Sequence, residues 1–152
     1  DLSIIKTVIK SNDARNKKLI LRINKIMSNN LENKKITFLG VTFKANTDDM
    51  RDSSSLIMIP ALSKKGAKIK YFDPTGYKKE FSKTKNVSNS NTIKEAVKGS
   101  DLVIIHTEWN DFKSINFKNL VKGKKLIIYD MRNIYTSAKI NAQGFKYYSV
   151  GR

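Results

Sequence analysis

Seven positions near the start of the chain repeat at a 4-3-4-3-4-3 spacing: Ile5, Ile9, Asn12, Asn16, Leu19, Ile23 and Ile26. This is the stripe of a helix packed against partners. No Pro or Gly interrupts residues 1–30. The pattern therefore predicts one helix about 45 Å long, more than a small domain can cover. It reads as a connecting or dimer-forming helix. Asn12 and Asn16 break the stripe, flanked by Asp13 and Arg15. Buried Asn on such a seam can fix register or oligomeric state. On a helix docked to its own domain, the same pair would sit at a wet edge.

Asn29, Asn30, Asn33 and Lys34 end the helix, and the period changes. Short apolar strands now alternate with short helices. Ile36–Val41 reads as a strand, followed by a helix capped by Asp52 or Ser53 that runs to about Lys65 and stops at Gly66. Pro60 lies inside that helix and should bend or shorten it, at a cost of roughly 3 kcal/mol. Lys68–Phe72 is a second strand, closed by Asp73-Pro74. Residues 75–91 are polar and read as a surface loop or irregular insert. Thr92 and Glu95 form a capping box, and Gly99 stops the helix behind it. Leu102–Thr107 is a strand buried on both faces. Phe117–Val121 is a short helix, Leu126–Asp130 a buried strand, 136–143 a weak helix and Phe145–Val150 a final strand. The order is β-α-β-loop-α-β-α-β-α-β. It predicts an α/β fold with a doubly wound parallel sheet. The units are a helix over 1–30 and a domain over 35–152.

In such sheets ligands bind beyond the carboxyl ends of the strands. That rule selects Thr42–Arg51, Asp73, Glu108 with Trp109, and Asp130 to Asn133. The segment from Gly40 to Ser53 is the densest. It has one glycine, so it is not a dinucleotide fingerprint. It offers an aromatic (Phe43), two cations (Lys44, Arg51) and polar donors (Asn46, Thr47) where a helix begins, a place that suits a diphosphate. Asp48-Asp49 could suggest a metal, but adjacent carboxylates with no His nearby more often orient Lys and Arg. Asp73 could meet a ribose or set an Asx turn before Pro74. His106 reads as a packed core residue inside its strand, and Trp109 as a lid or core residue. Arg132 emerges at the same sheet edge as Lys44 and Arg51, as an anionic nucleotide requires. It could instead form a surface pair with Asp130.

Composition adds exclusions. Lys and Arg total 30 against 13 acidic residues, for a net charge of +17. Of the basic residues 25 are Lys, and Asn and Ile are also abundant, as A/T-rich codons would give. The Lys pairs are spread along the chain (Lys17-Lys18, Lys34-Lys35, Lys64-Lys65, Lys78-Lys79, Lys124-Lys125). Nucleic-acid binders need a concentrated stripe and favour Arg. Solvated surface charge is the stronger reading, and a stand-alone nucleotide- or nucleic-acid-binding module is the alternative. There is no Cys and a single His, which excludes disulfides, thiolate metal sites, a Cys nucleophile and paired-His metal sites within these residues. No apolar run approaches a membrane span, and no secretory signal pattern is present, so the expectation is a cytoplasmic protein. The first residue is Asp1, which suggests a processed chain or a piece of a longer one.

Three motifs occur in order: G-V-T-F-K-A-N-T-D-D-M-R-D-S (40–53), H-T-E-W-N-D-F (106–112) and D-M-R-N-I-Y (130–135). Together they resemble the C-terminal part of the UDP-glucose/GDP-mannose dehydrogenase family, over nearly the whole chain. Ala45 stands where members usually carry Pro, and Asp52 where many carry Glu. The resemblance implies a central dimer-forming helix over 1–30 and a Rossmann-like UDP-binding domain over 35–152. It implies that Phe43, Lys44 and Arg132 contact a nucleotide sugar and that Arg51 reaches the NAD side. It also implies oxidation of an alcohol to a carboxylate with two NAD, through a thioester on a Cys that is not among these residues. By the same resemblance the NAD domain is absent here, and a separate chain is one way to supply it. The expected partners are UDP-glucose or a related nucleotide sugar, a second copy of the chain, and no membrane.

Overall fold

The computed structural model describes residues 2–123 and 125–151. Asp1, Lys124 and Arg152, and the side chains of Leu2 and Ile9, lie outside the described residues. The first helix, α1, runs over Leu2–Ile26 as the stripe predicts. Only its C-terminal part docks. Ile23, Met27 and Leu31 are buried, and Leu19, Ile20 and Ile26 pack beside them. Ile4, Ile5 and Val8 are more than half exposed. The two readings of the stripe therefore divide along the helix: its end belongs to its own domain, and its start projects.

Six strands follow: β1 (Lys35–Leu39), β2 (Lys68–Phe72), β3 (Val87–Asn89), β4 (Leu102–Ile105), β5 (Ile127–Asp130) and β6 (Lys146–Ser149). The helices between them are α2 (Ser55–Lys64), α3 (Ile93–Val97), α4 (Phe117–Leu120) and α5 (Ser137–Ala142), with 3₁₀ turns at Lys79–Phe81 and Asn110–Phe112. All strand pairs are parallel, in the order β3-β2-β1-β4-β5-β6. This is the doubly wound sheet that the alternation predicts. One face carries Ile36, Phe38, Ile69, Tyr71 and Ile104 against α1 and α2. The other carries Leu39, Val103, Ile105 and Ile128 against Phe112, Phe117 and Ile140.

Four local expectations need correction. Residues 75–91 hold an edge strand, β3, and not only a loop. The Ile69 N–H donates to Asn86 O and the Ser90 N–H to Tyr71 O, extending a ladder that Val-Ser-Asn alone does not announce. α2 begins at Ser55 behind Ser54, and Asp52 does not cap it; of the two expected caps Ser53 is the one engaged, its hydroxyl oxygen accepting from the Ser55 N–H at 3.3 Å. Pro60 does not shorten α2, which continues to Lys64. Met58, Ile59 and Leu62 are fully buried on that helix. Burial of each stabilises by roughly 1.5–3 kcal/mol, which offsets the lost backbone bond. β4 stops at Ile105, short of Thr107. The His106 and Thr107 N–H groups both donate to Leu39 O, and this shared acceptor turns the chain out of the ladder. The capping box is present: the Glu95 N–H donates to Thr92 Oγ1 at 3.1 Å.

Candidate functional site

β1 and β4 are neighbours, yet their connections, both leaving from the carboxyl ends of the strands, lead to opposite edges of the sheet. The crevice of a doubly wound fold opens at that switch point. Here it is a cleft of about 1040 Å³. One wall is the loop that follows β1. The other is α1, through Asn12, Arg15, Asn16 and Arg22, and the floor includes His106 and Tyr129.

Gly40 opens the loop with φ of +78°. The loop is then braced from within. The Val41 N–H donates to Asp73 Oδ2 at 2.9 Å, and the Ser53 and Ser55 hydroxyls both donate to Val41 O at 2.6 Å. The Phe43 N–H donates to Asp49 O at 2.9 Å. These bonds leave Phe43 half exposed on the cleft, with Lys44 beside it. Asp73 has its other oxygen on the Thr75 N–H and hydroxyl and is buried, so the Asx turn accounts for it and the ribose role does not.

Arg132 reaches the cleft from the end of β5. Its Nε donates to His106 O at 2.8 Å, and its N–H donates to Asp130 Oδ1 at 3.0 Å. Asp130 is fully buried, so the two do not form a surface pair. Asp130 Oδ2 also accepts from the Tyr135 N–H at 2.9 Å and the Tyr147 hydroxyl at 2.7 Å.

Arg51 stands apart. Its side chain is 88% exposed and forks onto Asp49, at 3.1 Å from both Nε and Nη2. The Arg51 guanidinium holds the Asp49 carboxyl below its usual range. So Asp49 orients a cation, as adjacent carboxylates were expected to. The predicted cations thus divide: Lys44 and Arg132 line the cleft with Phe43, and Arg51 lies on the outer side of the loop. Trp109 is a core residue beside Phe112, and Glu108 does not line the cleft.

The sequence reading missed the contribution of α1. Arg15, Lys18 and Arg22 line the cleft at helical spacing, and that spacing was a readable signal. The Arg22 guanidinium lies 5.4 Å from the Tyr129 ring centre and donates to Ser149 O at 3.1 Å, which ties α1 to the sheet. The Tyr129 hydroxyl is buried with no hydrogen-bond partner among the described residues, and its burial raises its pKa.

His106 was expected in the core and is buried, but it also connects the cleft's parts. The Thr107 hydroxyl donates to Thr42 O at 3.0 Å, so Thr107 Oγ1 accepts from His106 Nδ1 at 2.9 Å. The Nε2 atom then accepts from the Ser54 hydroxyl at 2.8 Å. The ring is therefore neutral, with its proton on Nδ1. Burial, aided by the Arg132 charge, pushes its pKa from 6.5 down to about 3. The sign follows from linkage. Between these values the unfolded chain binds a proton that the folded chain does not. Stability should therefore fall by about 1.4 kcal/mol per unit as pH drops from 6.5 towards 3. Urea titrations at pH 7 and pH 5 test this against His106→Gln, which should flatten the difference between the two pH values.

The loop between β1 and α2 also bears on a dinucleotide. It has one glycine, it is long, and the hydroxyl at the head of α2 is engaged with His106. It does not fit the tight glycine-rich turn that places a pyrophosphate on a helix N-terminus. NAD is thus not accommodated by this turn.

A six-strand order of 3-2-1-4-5-6 with a cation-lined cleft at the switch point defines a Rossmann-like nucleotide-binding domain. The chain belongs to the UDP-glucose/GDP-mannose dehydrogenase family, whose UDP-binding-domain sequence model matches residues 37–137. It is 38% identical over 156 residues to the UDP-glucose 6-dehydrogenase of Rickettsia prowazekii, covering 99% of this chain and 36% of that protein. The enzyme of the same name from Rhizobium meliloti is 33% identical over 150 residues, with coverage of 98% and 34%. Among solved structures, a UDP-glucose dehydrogenase from Pyrobaculum islandicum superposes with a TM-score of 0.76 at 21% identity, covering 98% of this chain and 32% of that one. This last likeness is one of fold. The chain spans roughly a third of the length of the curated relatives it matches.

Proposed function

We propose that this chain is the nucleotide-sugar-binding C-terminal part of a UDP-glucose 6-dehydrogenase, which acts in the cytoplasm and oxidises UDP-glucose to UDP-glucuronate with two NAD. One observation carries the reading: Phe43 and Lys44 from the loop after β1 meet Arg132 from the end of β5 in a single cleft. Lys44 and Arg132 are placed to hold the diphosphate, Arg132 as a fork fixed by His106 O, and Phe43 offers an apolar face to the ligand. Arg51, outside the cleft, is the residue directed towards NAD. The NAD would be held mainly by an N-terminal domain, in the same polypeptide or a separate one. The exposed Ile4, Ile5 and Val8 support a homodimer through residues 1–30. No metal takes part in this reading.

These 152 residues contain no Cys, so they hold substrate without forming a covalent intermediate. The test is calorimetric. UDP should bind the chain at one site, and Lys44→Ala and Arg132→Ala should each weaken it by about tenfold or more, the cost of one charge-assisted contact. The same preparation, given UDP-glucose and NAD, should produce no NADH. Binding to any polyanion that falls steeply with salt and ignores both substitutions would instead mark a general basic surface.

A further inference from the structure

A second cavity, of about 350 Å³, lies at the opposite end of the sheet, on the face covered by α3. Residues paired across parallel strands point to the same side. This side therefore carries two rows: Lys35 with Lys68, and Thr37 with Lys70 and Ser88. α3 has five residues, a length of about 7.5 Å. It is too short to cover the lower half of three strands, and the cavity opens beneath it.

The charges there are unusual for this surface. Lys35 and Lys68 are direct cross-strand partners, and like charges so placed destabilise a sheet. Lys70 lies in the next row and is half-buried. Among the described residues its Nζ donates to the carbonyl oxygens of Glu95 and Lys98, at 3.4 and 3.5 Å, the long limit of a hydrogen bond. Lys35 Nζ comes within 3.9 Å of where a Cβ on Gly99 would sit, so both ammonium groups close on the turn after α3. Lys98 adds a fourth cation, and no Asp or Glu is among the lining residues; a carboxylate does lie close, that of Asp101, which accepts from the Lys35 backbone N–H at 2.8 Å. Most lysines of this chain are spread along it. Here four meet around one concavity, Lys70 half-buried and Lys35, Lys68 and Lys98 exposed at its rim.

We propose that this cavity is a second anion site, taking a small phosphorylated ligand of the phosphate or diphosphate class. Such an anion supplies acceptor oxygens to several ammonium donors at once and relieves the repulsion along the row. The proposal is independent of the nucleotide reading of the cleft.

The probe is inorganic pyrophosphate, titrated at fixed ionic strength into the full chain carrying Lys44→Ala and Arg132→Ala, which removes the cleft's cations. One site should remain. Adding Lys68→Gln and Lys70→Gln should weaken it at least tenfold. Lys64→Gln with Lys65→Gln, on the exposed end of α2, should leave it unchanged. In the otherwise unaltered chain, Lys68→Gln with Lys70→Gln should leave UDP binding as it was. Without any anion, that pair should melt no lower than the parent, because it removes repulsion. Orthophosphate binding with the same dependence would show that a single phosphate suffices. The proposal is overturned if pyrophosphate binding ignores Lys68 and Lys70, or falls equally with Lys64 and Lys65. A lower melting temperature of the anion-free Gln pair would also overturn it, since the lysines would then be held by the protein itself.

Discussion

Asp130→Ala is expected to lower stability and ligand affinity together. The carboxylate is fully buried at the end of β5 and accepts from the Arg132 N–H, the Tyr135 N–H and the Tyr147 hydroxyl. Tyr147 can keep its second acceptor, Tyr135 O at 2.9 Å. The two backbone donors have no such alternative. An unsatisfied buried donor costs about 1–3 kcal/mol, so the loss should be about 3 kcal/mol. Arg132 also loses the bond that fixes its backbone. UDP affinity should therefore fall beyond what unfolding explains. Urea titration gives the first quantity, and calorimetry below the unfolding transition gives the second. A variant that is destabilised yet binds UDP like the parent would show that Arg132 is held by His106 O alone.

Gly40→Ala should cost a similar amount by another route. The residue has φ of +78°, where a side chain costs about 1–2 kcal/mol. An added Cβ would also lie 2.5 Å from Thr107 Cβ and 3.2 Å from its Cα. That neighbour is backbone-bound and cannot swing away, so overpacking adds about 1–3 kcal/mol. The sum predicts a fall in Tm of roughly 10 °C for a chain of this size. It also predicts weaker UDP binding, because Thr107 Oγ1 links Thr42 to His106. Thermal unfolding followed by circular dichroism checks the first expectation. A fall of a degree or two would mean that the segment after β4, at Thr107, yields more easily than its burial implies.

The fold was legible where burial writes itself into composition. Leu102–Ile105 and residues 126–129 are continuous apolar runs because helices cover both sides of the central strands. β3 was not legible because an edge strand of Val-Ser-Asn is held by backbone bonds that leave no side-chain pattern. The cleft was half legible. Topology selects the polar residues beyond each strand; Phe43, Lys44 and Arg132 do line one crevice, and Arg51, selected with them, does not. It is silent on a wall supplied by a helix from outside the sheet, so Asn16 reads as part of a seam, Arg15 as its flank, and Arg22 is not singled out. Asp73 shows the converse. Its position fits a ligand contact, and only its three hydrogen bonds reveal that both oxygens are committed to the loop.

The strand order also governs when the cleft can come into being. β1, β2 and β3 are contiguous in the chain, and each joins its predecessor across one crossover. β4 must return past all of them to pair with β1, Ile36 against Leu102. Closing so long a loop is entropically costly, and non-local pairing of this kind is slow. During synthesis β1, β2 and β3 emerge before β4, so the residues around Lys44 are made before the partner of β1's other flank. The Arg132 half is added afterwards. Pairing of β4 with β1 both covers an open strand edge and completes the cleft proposed here for the nucleotide. A free nucleotide in the cell would capture that late product and pull folding to completion, so ligand supply would set the yield of folded protein as well as the occupancy of its site.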